Sequence, residues 1–305
     1  MLASKQANAF VVTKECEGDV ESGTAPLLAG RRPSSVLQLC AVALLATAIA
    51  TVVIVVSGGG SNLQAPTSPA VEATARAQSA DVVNVYFGNG CFWERQWAYY
   101  NVETDASGPF ARNRSTFTAY VGYAGGQDPP DGGSAVCYHT GDSRDYSRLG
   151  AAEAVQVSLD AGAVEAQVAT LSRDFFESFT GPEHSRARPD PMDRGRPYRS
   201  FVGLPGGVNS PLYAIVVKQN KHGMALKEGT GGDADELNTI WVYDTATFPF
   251  YHGEVYHQNH CNFFPSAGMP YPDDYTETLW KELQASGRYV PTGCPEVAWN
   301  HFSCF

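Results

Sequence analysis

Cys91 stands in the stretch "YFGNGCFWERQ" (86–96), directly after the turn-forming run Gly88-Asn89-Gly90 and directly before two large aromatics. Phe92, Trp93, Trp97 and Tyr100 recur near helical spacing, which predicts that Cys91 occupies the first turn of a helix. The free amide donors and the positive end of the helix dipole at such a position stabilise a thiolate and lower its pKa. The thiolate is the nucleophilic form of cysteine, so the pattern predicts a reactive thiol walled by aromatic rings. The competing reading is an inert core cysteine. A second set of donor side chains, His252, His257, His260 and Cys261, has spacings of five, three and one. Two or three of them could meet on one helix around a metal ion. Their surroundings are aromatic, however, and ordinary polar contacts are the better reading.

The elements that must hold Cys91 follow from the hydrophobic pattern. Residues 81–88 alternate Val83, Val85 and Phe87 as a strand does. Residues 115–122 and 153–159 read as further strands, the second with Val155, Val157 and Leu159 on one face. In residues 163–179, Val164, Val168, Leu171, Phe175 and Phe179 fall at steps of four, three, four and four, one apolar helix face. The runs 212–217 and 239–243 are expected as short buried strands, and 273–287 as a late helix ending at Gly287. Strands and helices mixed in this order predict a two-layer α/β or α+β domain.

The chain has 305 residues and a formal net charge of -11, with no basic stripe, which excludes a nucleic-acid binder. Residues 36–56 contain no charge and are long enough, at about 30 Å of helix, to span a bilayer core. Arg31 and Arg32 precede this segment and no charge immediately follows it, so the positive-inside rule places the first 35 residues in the cytosol. A cleaved secretory leader is the alternative. The expected organisation is a cytosolic tail over 1–35, a membrane anchor over 36–56, a flexible linker over 57–81 and one domain over 82–305. The domain would then lie in a lumen or outside the cell, where Asn113-Arg114-Ser115 would be a glycosylation acceptor.

Five sequence blocks in order change the reading of Cys91. "GCFW" (90–93) resembles the signature of the A-type peptide methionine sulfoxide reductases. "GYAGG" (122–126), "GAAEAVQVSLD" (150–160), "DRGRPYRS" (193–200) and "FPFYHGEVYHQ" (248–258) resemble further blocks of that family. The resemblance implies an α+β two-layer sandwich with a ferredoxin-like core. It also implies thiol-dependent reduction of methionine S-sulfoxide in peptides or proteins. Cys91 would be the nucleophile, Glu153 the general acid, and Asp193 and Tyr198 would polarise the sulfoxide oxygen. Phe92 and Trp93 would receive the S-methyl group, which an apolar and aromatic surface suits. The sulfenic acid left on Cys91 would be captured by a resolving cysteine and the disulfide reduced by an external thioredoxin-like dithiol, with no bound cofactor and no metal. Cys294, Cys304, Cys261 and Cys137 are the candidates for that second thiol. Cys294 and Cys304 could equally form a structural disulfide with each other. The protein is expected to be a monomer.

The chain departs from the family pattern at several points. Glu94 stands where glycine is common, Gln96 where glutamate is usual, and Ala151 where a histidine precedes the Ala-Glu pair. A tyrosine four residues before the Val-Cys pair is replaced by Gly133, with Tyr138 a substitute from another direction. A long segment, 138–150, separates Cys137 from the Glu153 strand. The rival readings are a thiol oxidoreductase acting on another small sulfoxide or a peroxide, and a membrane-tethered binding module without catalysis.

Overall fold

Strand β1 (Val82–Gly88) buries Val85 and Phe87 completely and runs through the Gly88-Asn89-Gly90 turn into helix α1 (Phe92–Thr104). Gly90 makes that turn with φ of +98°, a conformation costly for any residue with a side chain. Strands β2 (Tyr120–Ala124) and β3 (Ala152–Asp160) follow, then helix α2 (Val164–Glu177) and strand β4 (Phe201–Leu204). Helix α3 (Tyr213–Gln219), strands β5 (Ala225–Glu228), β6 (Thr239–Asp244) and β7 (Tyr251–His252), and helix α4 (Leu279–Ala285) complete the order. This computed structural model describes residues 82–186, 192–231, 238–260 and 271–296.

The strands form one mixed seven-stranded sheet in the order β5-β6-β4-β1-β3-β2-β7. Pairing is antiparallel from β4 through β7 and parallel between β4, β6 and β5. With its helices this is an α+β fold. Side chains alternate across β3. Val155, Val157 and Leu159 join the main core with α1 and α2, whereas Ala152 and Ala154 face a smaller cluster with Tyr86, Phe201 and Tyr243. Each fully buried Val or Leu of that first face stabilises the fold by about 1.5–3 kcal/mol. On α2, Val168, Leu171 and Phe175 are fully buried, and Phe179 just past its end nearly so, the face expected from the sequence.

Two expectations need correction. Residues 212–217, expected as a strand, lie in helix α3 and its approach. Leu212 and Val216 sit four apart and are buried, whereas Val217 is 44% exposed. One buried side at helical spacing is what a helix needs, and a short apolar run does not reveal it. Cys294, weighed as a partner for Cys304, is instead bonded to Cys137, 157 residues earlier. The expected tail, anchor and linker, together with Cys261 and Cys304, lie outside the described residues. Among the described residues no helix is long and apolar enough to cross a membrane.

Candidate active site

Because β1 is antiparallel to both β3 and β4, the end of β1 meets the starts of β3 and β4 at one end of the central strands. This topology gathers Cys91, Glu153 and Tyr198, which the sequence spreads over more than a hundred residues. Cys91 is the N-cap of α1 and half-buried, with a free thiol. Glu153 is the second residue of β3, on the same face as Val155, so its side chain turns toward α1. It is 2% exposed, and its Oε2 accepts the Phe92 N–H at 3.0 Å.

The loop carrying Asp193 and Tyr198 is tied to the same corner. The Gly90 N–H donates to the Tyr198 carbonyl at 3.0 Å. Next to Tyr198, the fully buried Arg199 donates to the carbonyls of Thr230, Arg196 and Gly125 at 2.6, 2.8 and 2.8 Å. It also reaches the Tyr243 hydroxyl at 2.8 Å. Gly125 has φ of +77°, and a Cβ there would strike the Tyr243 ring and the Arg199 guanidinium. The glycine-rich turn is therefore the socket for the arginine that fixes the Tyr198 loop.

The electrostatics of the sulfur differ from the sequence expectation. Burial first, then the charges of Glu153 and Asp193, push the Cys91 thiol well above its ordinary pKa, while the Trp93 amide acts the other way. The helix terminus is where it was expected, but its first amide serves Glu153 rather than the sulfur. Three tyrosines face the same carboxyl. Burial and the Glu153 charge raise the pKa of Tyr138, Tyr146 and Tyr198, and the Tyr198 hydroxyl lies within polar reach of the other two. All three stay protonated and can donate hydrogen bonds.

The 138–150 segment supplies two of these tyrosines. Asp145 folds it locally, accepting from the N–H groups of Gly141 and Ser147 at 2.8 and 2.9 Å. Its ends are closed by Cys137 N–H to the Arg144 carbonyl and Tyr146 N–H to the Cys137 carbonyl. Tyr138 stacks on Tyr146 with ring centroids 5.5 Å apart, and its N–H donates to Glu254 Oε1 at 2.7 Å. Gly133, in the place of the family's tyrosine, is exposed. Ala151 is buried against Gly126, where a Cβ would lie 2.8 Å from the alanine methyl.

The other departures have local partners. Glu94 pairs with Arg186 at 2.7 Å. Gln96 donates to the Ala119 carbonyl at 2.9 Å and accepts the Asn259 N–H at 2.7 Å, binding α1 to the segment after β7. Phe92 is buried, and Trp93 is half-buried against His257 and His260 with ring centroids 5.7 and 4.2 Å away. These two histidines are packed among aromatics, and His252 sits on the edge strand β7. Tyr146 and Glu254 were not singled out from sequence, and His257 only as a candidate metal ligand. A tyrosine in an inserted segment gives no local signal of where it ends up.

No protein-family model matches the chain. It is 28% identical over 191 residues to the peptide methionine sulfoxide reductase MsrA of Xanthomonas campestris pv. campestris (strain 8004), covering 63% of this chain and 74% of that protein. The MsrA of Xanthomonas campestris pv. phaseoli is 32% identical over 127 residues, 42% of this chain and 48% of its own length. Among solved structures the chain is similar to methionine sulfoxide reductase A of Corynebacterium diphtheriae at 19% identity and a TM-score of 0.38, covering 63% of this chain and 78% of that one. It is also similar to Mxr1 of Saccharomyces cerevisiae in reduced form at 20% identity and a TM-score of 0.38, covering 65% and 92%. In sequence the chain is thus similar to MsrA proteins over somewhat less than two thirds of its own length.

Proposed function

We propose that this chain is a peptide-methionine (S)-S-oxide reductase with Cys91 as nucleophile. The observation that carries the reading is the free thiol at the N-cap of α1 beside a buried carboxyl, in a chain homologous to MsrA proteins. Two negative charges in this corner disfavour each other, so thiol and carboxyl together release one proton before both release theirs. Moving the remaining proton from sulfur to Glu153 yields the reactive pair, a thiolate and a carboxylic acid. The thiolate attacks the sulfoxide sulfur while Glu153 protonates its oxygen. The oxygen passes to Cys91 as a sulfenic acid and methionine leaves. Cys91 is thereby oxidised by two electrons and the methionine sulfur reduced by two.

Tyr198, Tyr138 and Asp193 are assigned to the oxygen side of the substrate, the hydroxyls donating to the charge that develops there. Phe92 and Trp93 are assigned to the S-methyl group. The connectivity β1-α1-β2-β3-α2-β4, with the strands in the order β4-β1-β3-β2, supports a ferredoxin-like description of the core.

Cys137 and Cys294 are bonded to each other, which leaves Cys261, Cys304 or an external thioredoxin-like dithiol to resolve the sulfenic acid. No bound cofactor enters the cycle. The same disulfide supports an oxidising compartment, and with the uncharged segment 36–56 as an anchor the catalytic domain would be lumenal or extracellular. Asn113 is exposed, so a glycan on it in a secretory pathway would test that topology. The domain is taken to act as a monomer.

The reading is tested by incubating the full-length chain with methionine S-sulfoxide and excess dithiothreitol. Methionine should form, and should not form with Cys91→Ser. A reactive Cys91 thiol without turnover would favour another small sulfoxide or a peroxide as substrate. An unreactive one would favour a binding module.

A further inference from the structure

We propose that, once the Cys137–Cys294 disulfide is reduced, the two thiolates and the Glu254 carboxylate form a zinc site that takes over the disulfide's hold on the Tyr138 segment. The three donors come from separate parts of the chain. Cys137 follows β2, Cys294 follows α4, and Glu254 is the N-cap of the one-turn helix Val255–His257 after β7. All three are buried, and one donor atom of each lies within 4.8 Å of the other two. The Cα atoms of the two cysteines are 5.5 Å apart. Two thiolates on one tetrahedral zinc ion, each at about 2.3 Å, have sulfurs about 3.8 Å apart, so small side-chain rotations turn the bonded pair into two ligands.

Glu254 is oriented but not saturated. Its Oε1 accepts the Tyr138 N–H at 2.7 Å and its Oε2 the Tyr123 hydroxyl at 2.8 Å. Each carboxylate oxygen has two lone pairs, so both keep one for an ion. The two bonds orient the carboxylate as outer-shell partners orient a metal ligand. Glu296, two residues beyond Cys294, adds a second negative charge that acts on Glu254. Two thiolates and a carboxylate suit Zn2+ rather than Mg2+ or Ca2+, which take oxygen ligands alone. Water completes the tetrahedron, and the ion takes no part in the sulfoxide chemistry.

The use of such a site rests on the reading of the chain as a reductase. The external dithiol that regenerates Cys91 can also reduce the Cys137–Cys294 bond. It gives that pair two electrons and two protons and becomes a disulfide itself. Zn2+ then displaces the two thiol protons to water as two Zn–S bonds form. Cys137 adjoins Tyr138, and Glu254 holds the Tyr138 N–H, so one ion fixes a tyrosine assigned to the substrate oxygen. Without the ion, reduction would release this segment just when the enzyme is regenerated.

The test uses the full-length chain and its Cys137→Ala/Cys294→Ala variant, each before and after reduction by a phosphine, which binds zinc more weakly than a dithiol does. The phosphine is removed without air, and uptake of Zn2+ is measured in competition with a chromophoric chelator. The reduced chain should hold about one zinc ion more than the reduced variant. Before reduction the two should hold the same. Cobalt(II) in place of zinc should give the reduced chain a thiolate-to-cobalt charge-transfer band that the variant lacks. Glu254→Gln should weaken the extra site at least about tenfold. Equal uptake by the two reduced chains, an extra ion already held before reduction, or undiminished affinity in a folded Glu254→Gln chain would overturn the proposal. Cys294→Ser takes the place of the double variant if that chain does not fold. None of these readouts uses turnover. A chain that takes the extra zinc but reduces no sulfoxide would sink the reductase reading and leave the site standing; the reverse result would sink the site alone.

Discussion

The amide of Phe92 donates to Oε2 of Glu153 at 3.0 Å, joining the first turn of α1 to the start of β3 across 61 residues of chain. The bond holds the carboxyl in the corner occupied by the Cys91 sulfur, and the Glu153 charge is among the causes that keep the thiol protonated. Glu153→Gln keeps the size of the side chain and an acceptor for Phe92 but removes the charge. Alkylation of Cys91 by iodoacetamide near pH 8 should accelerate in this variant, roughly tenfold for each unit its pKa falls. Sulfoxide reduction should slow by about 10²–10³. Slower alkylation would show that the carboxyl does not hold the thiol proton in place.

The Glu153 charge acts on Tyr138, Tyr146 and Tyr198 alike, but Tyr138 alone of the three also feels the Cys91 sulfur, and Tyr146 is stacked on Tyr138. Tyr198→Phe and Tyr138→Phe should each slow single turnover by up to about 10²–10³, the cost of one lost donor to a developing oxyanion. Tyr146→Phe should cost less, about tenfold, because its hydroxyl acts through Tyr198. Equal rates for Tyr138→Phe and the wild type would return the oxygen to Tyr198 alone.

Cys137 and Cys294 close a loop of 157 residues between the segment that bears Tyr138 and the chain after α4. Replacing both by alanine should lower the unfolding free energy by about 2–5 kcal/mol in denaturant titration. The first turnover should persist, since neither thiol is needed to form the sulfenic acid. Loss of that first turnover in a folded double variant would place the disulfide in the chemistry itself.

Burial holds His257 well below the ordinary histidine pKa and His260 at about 3. Unfolded, both bind protons as pH falls below about 6.5. The folded chain does not until much lower pH, so their contribution to stability is complete above about 6.5 and is lost progressively on acidification. Each should contribute a slope approaching 1.4 kcal/mol per pH unit in that window. Unfolding titrations from pH 7 to 4.5 on the wild type and His260→Gln would check it. A slope unchanged by the substitution would contradict the account.

Much of the corner was legible because its signals are local. The Gly-Asn-Gly turn, the helix-spaced aromatics after Cys91 and the alternation around Glu153 each lie within about ten residues. Placing them together needs only the rule that antiparallel neighbours share ends. Tyr138 and Tyr146 were harder to place. Their position depends on the Asp145 turn, the contact with Glu254 and a bond to Cys294, all set by pairings that no local pattern reveals. The pKa of Cys91 was misjudged for a related reason. A helix N-terminus can be read from sequence, but the burial of the sulfur and the carboxyls brought beside it from other elements cannot. The apolar run 212–217 misled because six residues fit either period, and only the exposure of Val217 separates them.

The most direct test is single-turnover reduction of the separated S and R epimers of methionine sulfoxide by the full-length chain, alongside Cys91→Ser and Glu153→Gln. The expected result is S-selective formation of one methionine per chain, absent in Cys91→Ser and slowed steeply in Glu153→Gln. Equal use of both epimers, or turnover that survives Cys91→Ser, would contradict it.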